Sequence, residues 1–310
     1  MITNAAEGNQ PIPKLSDRLY RLYRMQGHWL LVLIPLILIL IRPLRWSWGI
    51  WFSYDSPLLF QPFLLLLAGI LVWERRYDLL GINNEMTFLY SANSARMRGS
   101  LWLVSLSCIA LIIAALAMVT PLAMLSFVGI VVGIIYYLYG MEIVKALWQP
   151  ILLLLLTIPP PGNLLAFLSS FLQTITAKTV SATLRPFLGE THSIGSFILL
   201  PSAQFPIGGS LGGVSVVLPT LALTLWWVFR KRLQLPQTLL LLFLSLVISL
   251  FINGIRVFAV CLMLNRSPDM ARMLAYIPSW ALVIPSFLAI IFIARFLTTK
   301  PAVAFGEEEG

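Results

Sequence analysis

A single arginine inside an apolar stretch is the residue of this sequence best suited to do chemistry. Arg256 lies toward the outer third of the apolar run from Thr238 to Leu264. A guanidinium stays charged and costs at least a few kcal/mol in lipid, so we expect it to face a protein interior or a wet cavity. The alternative is that it only reaches the outer headgroups, since Asn265 follows about nine residues, or roughly 13 Å, further along.

The composition places this arginine in a membrane. Of the 310 residues 59% are hydrophobic and 11% are charged, and the mean hydropathy is +0.90. Apolar runs repeatedly reach the roughly 20 residues that a helix needs to cross a bilayer. We therefore predict an all-α membrane protein, a polytopic bundle of about eight transmembrane helices. The predicted spans are residues 29–48, 58–73, 100–118, 121–139, 146–160, 213–229, 237–264 and 276–296.

The basic residues indicate how the chain is oriented. With the N-terminus in the cytoplasm, 14 of the 21 Lys and Arg residues fall inside and 6 outside, and Arg256 remains in the membrane. This bias follows the positive-inside rule and predicts an integral inner (plasma) membrane protein with both termini cytoplasmic. The net charge of +9 is then a matter of topology. We expect anionic membrane lipids as its partner and no nucleic acid.

Four regions follow from these patterns. Residues 1–28 form a cytoplasmic amphipathic segment, in which 15–25 predict a helix on the inner leaflet or, alternatively, a solvated tail. Residues 29–145 hold the N-terminal transmembrane helices, and 146–297 form the core. Residues 298–310 are an acidic cytoplasmic tail. Because the first region lacks an early apolar core, nothing in it indicates a cleaved signal peptide.

Several kinds of chemistry find no support in the sequence. Cys108 and Cys261 each lie alone in a predicted span, where a thiol usually packs as a small apolar group. His28 and His192 fall on opposite sides of the membrane, so we expect no metal site and no cofactor. The twelve acidic residues map to loops, tails or span ends. That pattern leaves no buried carboxylate for a proton relay or a cation site, which weakens an ion-coupled transporter, and no nucleotide motif supports a pump.

The irregular part of the chain is predicted to lie outside the membrane. The run from Ile158 to Gly162 contains three prolines, which should end the fifth span at the outer surface. Asn163 is the predicted N-cap of an amphipathic helix that reaches about Arg185. Residues 197–200 predict a short strand. We therefore expect residues 161–210 to form an extracytoplasmic cap, a helix plus a small hairpin, over the mouth of spans six to eight.

The segment from Ser210 to Ser215 enters span six from this cap. Its small residues, Gly212 among them, permit close backbone approach. On the predicted topology Ser210, Arg256 and residues 275–280 meet at one outer rim, and we expect them to line one outward-open cavity.

Two readings of Ser210 remain open. It can be a small residue that permits helix packing, or it can be a nucleophile. A serine hydroxyl needs a base to attack, and His192 in the cap is the candidate for that role. The alternative for His192 is a solvated loop residue.

The order of these features resembles the exosortase and archaeosortase family. The resemblance covers residues 145–296. It rests on a span ending Ile-Pro-x-Pro, an outer helix, a Leu-Leu-Pro hairpin, the small-residue segment, and Asn253-Gly-Ile-Arg256 in a span. The closest likeness is to cyanobacterial exosortases of the cyanoexosortase A kind. It implies an integral membrane cysteine protease or transpeptidase. The implied partners are exported proteins with a C-terminal sorting tag, made of a short Pro-containing motif, a transmembrane helix and a basic end.

The resemblance also implies a catalytic triad. Its members are a Cys in Cys-Ser-Gly-x-x-Ser, the Arg of Asn-x-x-Arg, and a His or Arg in His-x-x-x-Gly-Trp. The thiolate would attack the scissile carbonyl, the guanidinium would stabilise negative charge, and the third residue would move a proton.

This chain departs from that pattern at two of the three members. Ser210 stands at the nucleophile position, while Gly212 and Ser215 are kept. Residues 275–280 hold no His, so only Asn253 and Arg256 are intact. We expect an exosortase-like protein with degenerate catalysis that binds tags or partners a competent exosortase, or one with residual activity through Ser210.

A second class of function is a transporter or lipid-handling protein whose Arg256 holds an anionic substrate. Such transporters usually show broken helices in matched halves, whereas here the irregularity is confined to the second half.

Overall fold

The computed structural model describes residues 41, 44–52, 56, 58–77, 79, 94–201, 203–264 and 266–298. The predicted N-terminal amphipathic segment, most of the first span and residues 299–310 lie outside this range. The described chain is helical apart from one small sheet, which confirms an all-α polytopic architecture.

The elements follow one another in a simple order. A helical stretch at 44–51 comes first. The helices that follow are α1 (Gln61–Glu74), α2 (Ser94–Leu116), α3 (Thr120–Tyr139), α4 (Met141–Ala146), α5 (Trp148–Leu155), α6 (Gly162–Leu188), α7 (Val214–Lys231), α8 (Leu235–Leu264), α9 (Pro268–Tyr276) and α10 (Ser279–Thr298). Between α6 and α7 lie β1 (His192–Ile194), β2 (Phe197–Leu199), β3 (Gln204–Pro206) and the 3₁₀ turn Gly209–Gly212.

Within the described ranges, five helices are long and apolar enough to cross a membrane. These are α2, α3, α7, α8 and α10, and they match five predicted spans to within a few residues. Helix α1 matches a sixth, but its 14 residues extend only about 21 Å, less than the roughly 30 Å of a hydrocarbon core.

The predicted span 146–160 is wrong as one continuous helix, because the chain breaks at Leu147 into α4 and α5. Pro150 explains the break. It has no N–H for the carbonyl of Ala146, and its ring would clash with that carbonyl in a regular helix. Arg75, directly after α1, donates from Nη1 to the Ala146 carbonyl at 3.4 Å instead.

At the C-terminal end of α5 a side chain again donates to a carbonyl that a proline leaves without its helical partner. Pro160 cannot donate to the carbonyl of Leu156, so the side chain of Gln61 does so at 3.2 Å. The same amide nitrogen lies 3.4 Å from the Ile158 carbonyl, and Gln61 Oε1 accepts from Trp51 Nε1 at 2.7 Å. Helix α1 therefore braces both ends of the short segment beside it, and the two run antiparallel.

Helices α7, α8 and α10 form the centre of the bundle with α1 and α5. Phe229, Leu241 and Ile290 are buried there against Leu71 and Leu153. Small hydroxyl residues line the same helices and donate to carbonyls of their own helix three or four residues back, so close packing leaves no hydroxyl orphaned. They are Thr220, Thr224, Ser245, Ser249 and Ser286.

Helices α2 and α3 form a hairpin that packs too closely for larger residues. A Cβ on Gly129 would lie 2.5 Å from Ser107 Oγ, and one on Gly133 would lie 2.6 Å from a Val104 methyl carbon. Glycine is required at both positions because backbone and side chain already touch.

The cap helix α6 begins earlier and ends later than predicted. Pro161 is the N-cap residue, and Asn163 lies inside the first turn, where the helix has no side-chain cap. The carbonyl of Pro161 accepts from the backbone N–H groups of Leu164 at 3.0 Å and Leu165 at 3.1 Å, and these are the first hydrogen bonds of the helix. The helix continues past Arg185 and ends at Gly189, whose φ of +80° suits glycine.

The predicted hairpin is a three-stranded antiparallel sheet in the order β1-β2-β3. The predicted strand at 197–200 is β2, which pairs with both neighbours. Ile198 of this strand is buried with Leu184 of α6 and Val257 of α8. The cap therefore packs directly on the C-terminal third of α8, which is where Arg256 lies.

Candidate functional site in the C-terminal third of helix α8

Asn253 and Arg256 lie three residues apart on the buried face of α8. Asn253 is fully buried and Arg256 is 5% exposed. Residues at this spacing lie on one side of a helix, so their side chains leave α8 toward the same interior. The guanidinium lies inside the protein, and the alternative in which it only reaches the headgroups is excluded by this geometry.

The guanidinium of Arg256 binds the connection between α9 and α10. Its Nη2 donates to the carbonyls of Ala275, at 2.8 Å, and Ile277. Nε lies 3.4 Å from the Leu274 carbonyl, and Nη1 lies 3.4 Å from Ser279 Oγ. Helix α9 ends at Tyr276, and the last carbonyls of a helix have no donor within it. A cation there also favours the negative end of the helix dipole, so Arg256 acts as the C-terminal cap of α9.

Ser279 continues this network to α7. The hydroxyl of Ser215, in the first turn of α7, donates to Ser279 Oγ at 2.9 Å. Both serines are buried at 9% exposure. The three long helices α7, α8 and α10 are thereby joined at the same end of the bundle through Ser215, Ser279 and Arg256.

Asn253 holds the other segment of interest. Its Nδ2 donates to the carbonyl of Leu211 at 3.1 Å, in the 3₁₀ turn that carries Ser210. Its Oδ1 is buried and has no hydrogen-bond partner in the part of the chain that the structure describes. An orphaned buried acceptor costs about 1–3 kcal/mol, so this oxygen is a candidate to accept from a bound ligand.

Two glycines make room for these contacts. A Cβ on Gly212 would lie 3.0 Å from the amide nitrogen of Gln173 in α6. Gly213 has φ +85°, and a Cβ there would lie 3.2 Å from Asn253 Nδ2. Because glycine has no side chain, α6 can approach the turn at position 212 and α8 can approach it at position 213. The close approach expected of this small-residue segment is therefore observed.

The structure shows the contacts of some predicted site residues, while the predicted roles of others stay untested. It brings Arg256 against residues 275–280, as expected. The backbone of Ser210 lies in the 3₁₀ turn, but its side chain lies outside the description, so its place in a common cavity stays a prediction. His192 is exposed in β1, opposite Leu199, and its role as a base stays a prediction.

Sequence reasoning did not single out Ser279 or Gln173. Ser279 could have been found, because it is a polar residue immediately before an apolar span and stands where the family pattern has glycine. Gln173 could not have been found from the sequence. Only its short distance to Gly212 in the folded chain shows that it matters, and nothing about its position along α6 does. Among the described residues no group of three His, Cys, Asp or Glu side chains could hold a metal ion.

A comparison with protein families shows the family of this chain. The family model described as "Transmembrane exosortase (Exosortase_EpsH)" matches residues 51–293. The match covers most of the chain and every residue of the network around Asn253 and Arg256. The protein belongs to the transmembrane exosortase family. Comparison with curated proteins and with solved structures gives no match.

The family match also reaches further toward the N-terminus than the resemblance over 145–296. It includes α1, which braces the short segment formed by α4 and α5. The N-terminal helices are therefore part of the family architecture. The closer likeness to cyanobacterial members stays a prediction.

Proposed function

We propose that this protein recognises the C-terminal sorting tag of exported proteins at its extracytoplasmic face without cleaving it, alone or beside a catalytically competent exosortase. The observation that carries the proposal is the engagement of Arg256. Its guanidinium is held by the backbone of residues 274–277 and by Ser279. This is the segment in which the family pattern expects a proton-transferring residue.

The described hydrogen-bond partners of Arg256 are suited to holding a chain in place and not to moving protons. The acceptors named above are three carbonyls and one hydroxyl, and none of these titrates near neutral pH. Acyl transfer also needs an activated nucleophile. Serine at position 210 replaces the thiol whose ionisation the family chemistry uses. Together these features support a site that keeps the family's arrangement of residues but does not catalyse a reaction.

Asn253 indicates how a tag would be read. Its orphaned Oδ1 is able to accept a hydrogen bond, and the amide that carries it packs against Gly213, where a Cβ would lie 3.2 Å from Nδ2 and 3.8 Å from Cγ. An extended peptide offers a backbone N–H at every residue except proline. We propose that a backbone N–H of the tag donates to this oxygen. The extended conformation that proline imposes would keep the tag from pairing with itself.

The alternative of an anion transporter gains nothing from the family match. The described hydrogen bonds of Arg256 go to neutral oxygens of its own chain, an arrangement that fits a structural clamp. Tag recognition remains the proposal because it uses both the family membership and the geometry of Asn253.

A tagged reporter in purified membranes tests the proposal. The reporter carries a Pro-containing motif, a transmembrane helix and a basic end, and the matched control lacks only the Pro-containing motif. We expect the full-length reporter to co-purify with the protein and the control reporter not to. Equal recovery of both reporters would refute tag recognition.

Variants at Ser210 test the absence of cleavage. Ser210→Ala should leave reporter length and co-purification unchanged, because alanine keeps the small side chain that packing needs. Ser210→Cys tests whether the pocket can activate a thiol. Cleavage by the wild type that is lost in Ser210→Ala and kept in Cys261→Ala would show a serine variant of the enzyme and overturn the non-catalytic reading.

A further inference from the structure

A stripe of large apolar side chains runs along the exposed side of the N-terminal half of α6. Leu164, Phe167 and Phe171 are 49%, 67% and 55% exposed, and Ile175 follows at 37%. Their spacing of three and four residues places them one above another on one face of the helix. The rings of Phe167 and Phe171 stack, with centroids 6.4 Å apart and planes 14° from parallel. This apolar stripe is therefore continuous over about three turns.

The exposed surface next to the apolar stripe is polar. Asn163 and Ser170 are exposed, and they lie about 80° and 100° around the helix from Phe171. Along the face of the stripe itself, the apolar side chains end at Lys178, and Ala182 is the next position on that face. The surface of α6 thus changes from apolar to polar both around the helix and along it. This pattern is typical of a helix that lies at a membrane surface with one side in the acyl chains.

The packing of α6 shows how deep each half lies in the bundle. Leu172 is buried with Val214, the first residue of α7, and Leu250 of α8 packs against this cluster. Leu184, in the second half of α6, is buried with Val257 of α8. The partners on α8 are seven residues apart, which corresponds to about 10 Å along its axis. The N-terminal half of α6 therefore lies nearer to the middle of α8 than the C-terminal half does.

We propose that the apolar stripe of α6 is embedded in the acyl chains of the adjoining lipid leaflet. Two observations identify lipid as the covering. The stripe lies level with the start of α7, which is long and apolar enough to cross a membrane and belongs to a transmembrane family. At that level the surroundings of the protein are hydrocarbon. The stripe also ends at Lys178, where α6 has moved toward the end of α8 and an ammonium can reach headgroups and water.

An embedded α6 would stand between the acyl chains and the 3₁₀ turn that carries Ser210. Gln173 follows Phe171 by two residues, which is about 200° around the helix, so it lies on the side away from the stripe. Its amide nitrogen is the atom 3.0 Å from the Cβ position of Gly212. One side of the same helical turns thus contacts lipid and the other contacts the turn. This placement holds whether or not the site binds a tag.

Spin labels at single cysteines measure what covers each face of α6. The full chain, with Cys108 and Cys261 replaced by alanine, carries Phe171→Cys and is reconstituted into vesicles of phosphatidylcholine and phosphatidylglycerol. Collisions of the label with oxygen, which dissolves in acyl chains, are compared with collisions with a water-soluble nickel chelate. The chelate should reach position 171 at least about ten-fold less often than an aqueous position, because moving unpaired polar groups into hydrocarbon costs more than the free energy of one factor of ten. Oxygen should reach it freely.

Two matched labels locate the edges of the embedded face. Ser170→Cys lies at the same depth on the polar side, and Ala182→Cys lies on the face of the stripe but beyond Lys178. Both should collide more often with the nickel chelate than with oxygen. Phe167→Cys repeats the measurement if Phe171→Cys does not fold. Nickel collisions at 171 or 167 as frequent as at 170 would show that water covers the stripe, and few collisions with either reagent would show that protein covers it. Either result would overturn the proposal.

Discussion

Replacing Arg256 with leucine should release α9 from the bundle while the protein stays inserted. The two shorter hydrogen bonds, to the carbonyls of Ala275 and Ile277, carry most of the energy, because the two contacts at 3.4 Å lie at the limit of the interaction. Bonds from a charged donor contribute about 1.5–3 kcal/mol each, which gives roughly 3–6 kcal/mol lost. Leucine also removes the cost of burying a charge, several kcal/mol.

We take the net loosening as about 2 kcal/mol. It is smaller than the energy of the lost bonds because leucine removes the cost of the buried charge and because water can reach the two half-buried carbonyls once the guanidinium is gone. At 1.4 kcal/mol per factor of ten, the local opening of α9 should become about 30-fold more frequent. If the proposed function is right, tag binding should be lost with it.

Alkylation of a buried position in α9 measures this opening. Ala271 is 1% exposed, so Ala271→Cys should react slowly with N-ethylmaleimide in a protein whose Cys108 and Cys261 are alanine. The rate should rise about 30-fold with Arg256→Leu. Ile255→Ala is the matched control on the same helix, because Ile255 is 52% exposed and lies off the buried face. A rate within two-fold of the parent for Arg256→Leu would refute the clamp.

Three further predictions concern the cap, α1 and the glycine pair. Cysteines at the exposed positions of Ser170 and His192 should react with an impermeant maleimide from outside, and labelling only from the cytoplasm would reverse the topology. Gln61→Leu should lower the melting temperature by several degrees, because the Leu156 carbonyl, which Pro160 leaves without a helical donor, loses the Gln61 amide at about 1–3 kcal/mol, and the longer contact to the Ile158 carbonyl is lost with it. Gly213→Ala should impair tag binding more than Gly212→Ala, since only Gly213 combines a close contact with positive φ; equal effects in the binding assay would contradict this.

The sequence predicts the long helices well because each is a run of apolar residues with its own clear ends. It fails at residues 146–160, where the apolar run is continuous but Pro150 breaks the helix. Hydropathy does not register the missing N–H, and the donors that replace it come from Gln61 and Arg75, far away in the chain. The start of α6 fails for a related reason. Asn163 matches the usual cap, yet proline at 161 already starts the helix.

The site was predictable in part for the same physical reasons. A buried charge in a span must find polar partners, so Arg256 could be singled out from its type and place alone. Its partners could not be named, because they are backbone carbonyls, which every residue has. Which carbonyls lack donors depends on where α9 ends. That end is set by Pro278 and by the start of α10, and it becomes visible only in the folded chain.

The pair Asn253 and Arg256 also changes what an intact Asn-x-x-Arg sequence means. In this chain Asn253 holds the turn that carries Ser210, and Arg256 holds the connection that precedes Trp280. One turn of α8 thus fixes the two segments in which the family pattern places its nucleophile and its third catalytic residue. A clamp of this kind would be needed whether or not bonds are made and broken there. The presence of Arg256 is therefore evidence for the architecture of the site, and evidence for catalysis must come from the residues that the clamp positions.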